Sequence, residues 1–364
     1  MSILIGLDNP LDQYFMRHPE DFFHKSFEHA LINPDNPNIL RAHLLCAAWE
    51  LPLEEEDERV FGPLFAQTKA EMEGGGMLRR HGRRSYITPA LSYPAQGVSI
   101  RSTSAQRYAI IESGQGAVLE TVDSSVAFFQ IHTGAVHLHM GEPYLITKLD
   151  LPSRTAYAVP TDVPYYTQTK DITDVRVIRP RQQKRVGEVN VFFGEVKVTT
   201  EVLGFRKKAQ FTEEVMGEEI LDLPAQRFDT MALWFDMPAE SLDRVSRAQL
   251  DLAGGLHAAE HAAIAMLPLF ALCDRNDIGG VSTLLHPDTG QAQIFIYDAH
   301  PGGIGIAEKG FELVRDLWQV TLKVVRECPC EDGCPSCVHS PKCGNNNQPL
   351  DKKAAELLLE GLLA

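Results

Sequence analysis

Five of the seven cysteines fall within sixteen residues: Cys328, Cys330, Cys334, Cys337 and Cys343 in ECPCEDGCPSCVHSPKCGN. In a reducing compartment disulfides do not persist, so thiols clustered this densely point to a metal. A Cys-x-x-Cys turn, here Cys334-Pro-Ser-Cys337, lets two thiolates grip one face of a tetrahedral ion, and flanking cysteines complete it. Four ligands are needed and five are present, so spacing leaves the remaining two among Cys328, Cys330 and Cys343. An all-cysteine site has no open position, which makes structural zinc the expected occupant. It would tie the end of FELVRDLWQVTLKVVRE to the last helix, DKKAAELLLEGLL. A redox CxxC and an iron–sulfur cluster share the spacing. Cys46 and Cys273 stand alone in apolar helical contexts and read as small buried hydrophobes.

The chain has 364 residues, enough for two or three domains with their own cores. No apolar run reaches the ~18 to 20 residues of a membrane span. The start, MSILIGLD, lacks the basic and long apolar regions of a signal peptide, so the expected compartment is the cytoplasm. A net charge of −15 argues against wholesale polyanion binding, and any nucleic-acid surface must be local.

The periodicities divide the chain into four parts. Residues 1–24 read as the tail of a preceding domain. Residues 25–95 have a helical period, with Ile39, Leu40, Leu44, Leu45, Ala48 and Leu51 recurring after an Asn-Pro-Asn start signal. A basic cluster, Arg79, Arg80, Arg83 and Arg84, then precedes extended SYITPALSYP, as in helices followed by a wing hairpin. Residues 96–211 alternate with period two in short segments such as VSIRSTS, RYAIIE and DVRVIRP, which predicts a central antiparallel β barrel or sandwich. Residues 212–364 return to a helical period, with one strand at QAQIFIYD. The fold class is therefore α+β and multidomain.

Four further features carry possible chemistry. His257, Glu260 and His261 in HAAEH match the inverted zinc-protease pattern of two histidine ligands and a glutamate base. This is the basis of an alternative reading as a metal-dependent hydrolase, although the pattern also needs an acidic ligand downstream. His137 and His139 alternate onto one strand face, but their spacing to Gly134 and Glu142 does not fit a cupin-type metal barrel, so a strand network is expected. YDAHPGGIGIAE is a glycine-rich turn at a helix start, where free N–H groups can cradle an anion. The nucleotide-binding glycine patterns are not matched, so a tight structural turn is expected. Between Arg176 and Lys208, finally, nine Lys/Arg face three Glu. Such a patch on a β domain can track a phosphate backbone or form an ordinary solvated surface.

Together these segments resemble the C-terminal half of the DEAD/DEAH-box DNA repair helicases related to mitomycin repair factor A. The resemblance covers nearly the whole chain. It rests on NPDNPNILRAHLLCAAWELPL, GAVHLHMGEPYLITKLDLPSRTAYAV, HAAEHAA with CDRNDIGG, IYDAHPGGIGIAE and CPCEDGCPSCVHSPKCGN. It implies a zinc-binding C-x-C-x₃-C-x₂-C set, here Cys328, Cys330, Cys334 and Cys337, with Cys343 spare. His257 and His261 become packing or DNA-facing groups. The implied role is a non-catalytic, DNA-binding part of a 3′ to 5′ helicase. Arg179, Arg181, Lys184, Arg185 and Lys207 would follow the phosphates of DNA that is single-stranded or at a duplex junction. Walker-type and DEAH-type motifs are absent from the sequence. This chain alone is thus not expected to bind nucleotide or hydrolyse ATP, and helicase motor domains would act in cis or in trans.

Overall fold

The computed structural model describes residues 3–98 and 106–364, so the expected strand VSIRSTS lies almost wholly outside the described residues. Asn36 opens the helix Pro37–Glu50: its side chain accepts from the Asn38 N–H, and Pro37, which has no N–H to leave orphaned, takes the first position. Leu40, Leu44 and Ala48 turn inward at helical spacing onto Phe65 and Met72 of the helix Phe65–Gly74 and onto Leu78. Leu51, past the helix end, is exposed. The hairpin Leu78–His81 and Arg84–Ile87 completes a winged helix. The acidic segment before it caps a short 3₁₀ turn and reaches the wing, Glu54 to Arg84 at 2.7 Å and Glu55 to Arg80 at 3.4 Å.

The β region is made of two sheets. In the first, the order is Val118–Asp123, Arg107–Glu112, Thr155–Pro160, Glu142–Asp150 and Val136–His139, antiparallel except for one parallel pair. The sequence pattern had no strand at Val118–Asp123, where apolar and polar residues do not alternate cleanly. The two edge strands meet through side chains: Glu120 on one holds His137 and His139 on the other, both at 2.9 Å. The sheet is thus rolled into a nearly closed barrel around Ile110, Ile131, Ile146 and Ala156.

The second sheet is built on a long hairpin, Tyr165–Val186 and Val189–Ala209, whose two-residue turn has Gly187 at φ 59°, as a type II′ turn requires. Bulges place an extra residue in the first strand at Ile178 and Arg181 and in the second at Leu203, and Pro180 is tolerated because the first strand lies at an edge. Opposite, Gly194 lets the backbones close: a Cβ would lie 2.3 Å from the Arg179 carbonyl. The strands Val215–Ile220, Gln226–Asp236, Ile278–Thr283 and Gln293–Asp298 extend the sheet. Only the last is legible as a strand from periodicity after residue 212. Gln226–Asp236 ends in a continuous buried run because both its faces are covered. Trp234 stacks between Phe192 and Phe295 on one side, and Leu233 and Phe235 join the helical core on the other.

That core lies between this sheet and the helices Ala239–Arg247, Leu252–Met266, Val314–Glu327 and Lys352–Leu363. The N-terminal helix Pro10–Arg17 packs on Leu252–Met266, with Tyr14 buried in the same core. Among the described residues no helix is long and apolar enough to cross a membrane.

Candidate metal centre and its surroundings

The helix Val314–Glu327 ends at Cys328, and the chain then folds back on itself. The Cys334 carbonyl accepts from the N–H groups of Cys337, Val338 and His339, which turns both thiols of the Cys-x-x-Cys inward. The Sγ separations are 3.6 Å for Cys328–Cys330, 3.4 Å for Cys328–Cys334, 3.5 Å for Cys330–Cys337 and 3.8 Å for Cys334–Cys337. All four sulfurs lie within 4.8 Å of one another. A tetrahedron with Zn–S bonds of about 2.3 Å has edges of about 3.8 Å, so the cage has the size zinc requires. Every separation is far beyond the roughly 2.05 Å of a disulfide. A four-iron cubane spreads its cysteine sulfurs over a larger cage than this one.

Burial opposes ionisation of these thiols. At Cys328 the backbone N–H of Cys330 and the neighbouring thiols overcome it and bring the group down to about 7. At Cys337 burial wins and the thiol is pushed far up. A divalent cation at the centre removes this conflict by ionising all four. The residues present therefore fit zinc, which when bound would cross-link the two arms of the loop. With zinc bound, part of the surplus thiolate charge would be balanced by Lys352, a buried ammonium donating to the carbonyls of Cys328 at 2.7 Å and Cys330 at 2.6 Å. Its role was not legible in the sequence, where Lys352 is one of two lysines opening a surface-like helix. Ser336 bonds Asp8, and His18 meets Glu327 at 2.7 Å, which fastens the N-terminal segment to the same loop.

Cys343 is not part of this cage. It lies against HAAEH: its Sγ is 3.5 Å from His257 Nε2, and His257, His261 and Cys343 each place a ligand-type atom within 4.8 Å of the other two. The imidazoles do more than pack. His257 Nδ1 donates to the Pro349 carbonyl at 2.9 Å and His261 Nδ1 to the Val338 carbonyl at 3.0 Å. Glu260 is buried beside them and bonded to Ser282. These groups, with Asp171 and Tyr297, line a cavity of about 820 Å³ beneath the six-stranded sheet. The third group beside the two histidines is thus a thiol, where an inverted zinc protease needs an acid.

The glycine-rich turn already holds an anion of its own. Asp298, at the end of the strand Gln293–Asp298, accepts from the N–H groups of Ile304 (2.6 Å), Gly305 (2.9 Å) and Ala307 (2.7 Å). This bears out the structural turn, with a carboxylate where a phosphate could have sat. Gly302, at φ 81°, also leaves room for Asn36, whose amide donates to the carbonyls of Pro301 (2.9 Å) and Gly303 (2.8 Å) and so docks the winged helix.

The basic residues are not gathered at one place. Arg179 and Arg181 share the single carboxylate of Glu195, at 2.5 and 2.7 Å. Arg185 pairs with Glu188. Lys184 donates to the Glu312 carbonyl over the ring of Phe311, and burial lowers its pKa. Lys207 pairs with Glu219 at 2.5 Å and faces Thr167 across the hairpin. Along the strand that is roughly 40 to 60 Å from the other four, at about 3.3 Å per residue.

Comparison with known proteins agrees with this architecture. Residues 259–338 match the family model described as the MrfA Zn-binding domain, and residues 32–103 match the winged helix domain of the ATP-dependent helicase HRQ1. The chain is 34% identical to the uncharacterized ATP-dependent helicase YprA of Bacillus subtilis, over 93% of this chain and 45% of that protein. Two crystal structures of the helicase MrfA are similar over 97% of the chain. The protein alone has a TM-score of 0.64 at 28% identity, covering 47% of that chain, and the DNA-bound form a TM-score of 0.51 at 32% identity, covering 46%. The chain spans less than half the length of these relatives. With the winged helix, the rolled β region and the cysteine cage in one continuous match, the chain corresponds to the C-terminal region of MrfA-type helicases.

Proposed function

We propose that this chain is the DNA-binding, zinc-stabilised C-terminal region of an ATP-dependent DNA repair helicase, acting with motor domains supplied in cis or in trans. The observation that carries this reading is the likeness, over 97% of the chain, to MrfA solved with DNA. In this reading residues 1–24 end a motor domain, 25–95 are the winged helix, and 96–211 and 212–364 are the β and zinc-binding parts, which share the six-stranded sheet. Cys328, Cys330, Cys334 and Cys337 hold a structural zinc that ties the end of the helix Val314–Glu327 to the loop leading into the helix Lys352–Leu363.

The hairpin edge supplies the phosphate contacts. Arg179 and Arg181 are two exposed guanidiniums on one carboxylate, which leaves them a net positive charge. Exposed ion pairs are worth about 0–1 kcal/mol, so exchanging Glu195 for a phosphate costs little. Arg185 is similarly exposed, Lys184 is committed to its carbonyl, and Lys207 serves a separate, distant contact. Arg79 and Arg83, exposed on the wing, add charge on the winged helix.

Anisotropy with single-stranded and forked oligonucleotides over a salt series tests the reading. Binding is expected to fall steeply with salt. The double variant Arg179→Gln/Arg181→Gln is expected to reduce the log–log slope by about 1 to 2, with a loss of about tenfold or more in affinity at low salt. A flat salt response, or a double variant identical to the parent, overturns the assignment of this edge.

A further inference from the structure

We infer that His257, His261 and Cys343 form a second metal site, distinct from the four-cysteine cage, which takes a divalent transition ion of the zinc class with its fourth position open to the cavity.

The argument starts from the two hydrogen bonds at Nδ1. A carbonyl only accepts, so both imidazoles must carry their proton on Nδ1, which leaves Nε2 of each as a lone-pair donor. A backbone carbonyl on the far nitrogen is the outer contact that fixes the tautomer and orientation of a metal-binding histidine. The two residues are four apart on the rigid helix Leu252–Met266, and their ring centroids are 4.2 Å apart. The third ligand comes from the loop after the knuckle.

Distance supports the same conclusion. With metal–nitrogen bonds of about 2.05 Å and a metal–sulfur bond of about 2.3 Å, a tetrahedral ion sets its nitrogen and sulfur ligands about 3.6 Å apart. His257 Nε2 and Cys343 Sγ are 3.5 Å apart. Two imidazoles and one thiolate favour zinc over the hard cations, which prefer oxygen ligands.

Four carboxyl groups, Asp123, Asp171, Glu260 and Asp277, line the cavity against one lysine, Lys342, so the balance of charge suits a cation. Three protein ligands leave one position for water, which the cavity has room to admit. The matched zinc-binding model ends at residue 338 and so contains neither His257 nor Cys343. The inference is independent of DNA binding.

The test is metal stoichiometry on the whole chain, reconstituted separately with Zn²⁺ and with Co²⁺ and freed of excess ion. Two equivalents are expected for the parent, and one for each of Cys343→Ser, His261→Gln and Cys334→Ser. In the cobalt form, the parent-minus-Cys343→Ser difference spectrum should show d–d bands with the charge transfer of a single thiolate, against the four-thiolate bands lost in Cys334→Ser. If the parent holds one equivalent, and its cobalt spectrum is unchanged by Cys343→Ser, then Cys343 only hydrogen-bonds His257 and the site does not exist. The parent's stoichiometry decides the matter even if a variant fails to fold.

Discussion

Cys334→Ser is expected to release the zinc of the four-cysteine cage and to loosen everything that the loop fastens. In the proposed site Cys334 supplies one ligand, and its carbonyl also accepts three N–H groups of the turn. Losing one of four thiolates from a closed site leaves three thiols, two of them buried, with no cation to ionise them. Structural zinc in small peptides contributes about 10–16 kcal/mol at neutral pH. Here the loss is smaller, because Trp318, Val324 and Val325 remain in a large apolar core whether or not metal is bound. Hydrogen exchange and metal analysis check this together. Zinc should fall by one equivalent, and protection should collapse across 328–350 and the helix Lys352–Leu363 while the six-stranded sheet keeps its protection. Cys273→Ser, a half-buried thiol outside the cage, should change neither. Retention of the full zinc content by Cys334→Ser would falsify the ligand assignment.

The second large effect is expected at Asp298. Its carboxylate is fully buried and accepts three backbone N–H groups of that turn. Burial pushes the carboxyl up, while the three donors and His300 pull against it. Asp298→Ala removes the acceptor and leaves the Ala307 N–H unpaired in a buried position and those of Ile304 and Gly305 in half-buried ones. An orphaned buried group costs about 1–3 kcal/mol, and partial relaxation sets the sum at about 3–5 kcal/mol. Asp298→Asn keeps one acceptor oxygen and should lose less. Urea unfolding followed by tryptophan fluorescence reads both variants. Because Asn36 docks on the same turn, Asp298→Ala should also make the winged helix more susceptible to limited proteolysis. A loss under about 1 kcal/mol, with the winged helix as protected as in the parent, means that the turn holds itself without the carboxylate.

These two sites differ in how far they can be read from sequence. The cysteine cage is local: its four thiols span ten residues, so residue type and density alone point to a metal there, although spacing left Cys343 as an alternative to Cys328 or Cys330 until the fold set it apart. The same is true of the helix Pro37–Glu50, whose Asn36-Pro37 start and inward leucines act within a few residues, and of the strand Arg107–Glu112. Asp298 offers no such signal. An aspartate before a glycine-rich turn reads equally well as a solvated loop residue, and only folding brings the N–H groups of 304, 305 and 307 around it.

Sequence alone determined the dense run of cysteines that invites a metal, the α+β composition of the chain and the local starts and stops of its stronger elements, because these depend on residue type at short range. Tertiary structure decided the rest. Strands such as Gln226–Asp236 lose their period-two pattern because both faces are covered, and that depends on partners far away in the chain. Glu120 meets His137 and His139 only because a sheet rolls until its edges touch. Lys207 is separated from Arg179 by the length of a hairpin, although the two share one basic stretch of sequence. Cys343, a spare cysteine by spacing, comes to lie beside His257, 86 residues earlier, because the loop after the knuckle folds back across the helix that carries both histidines.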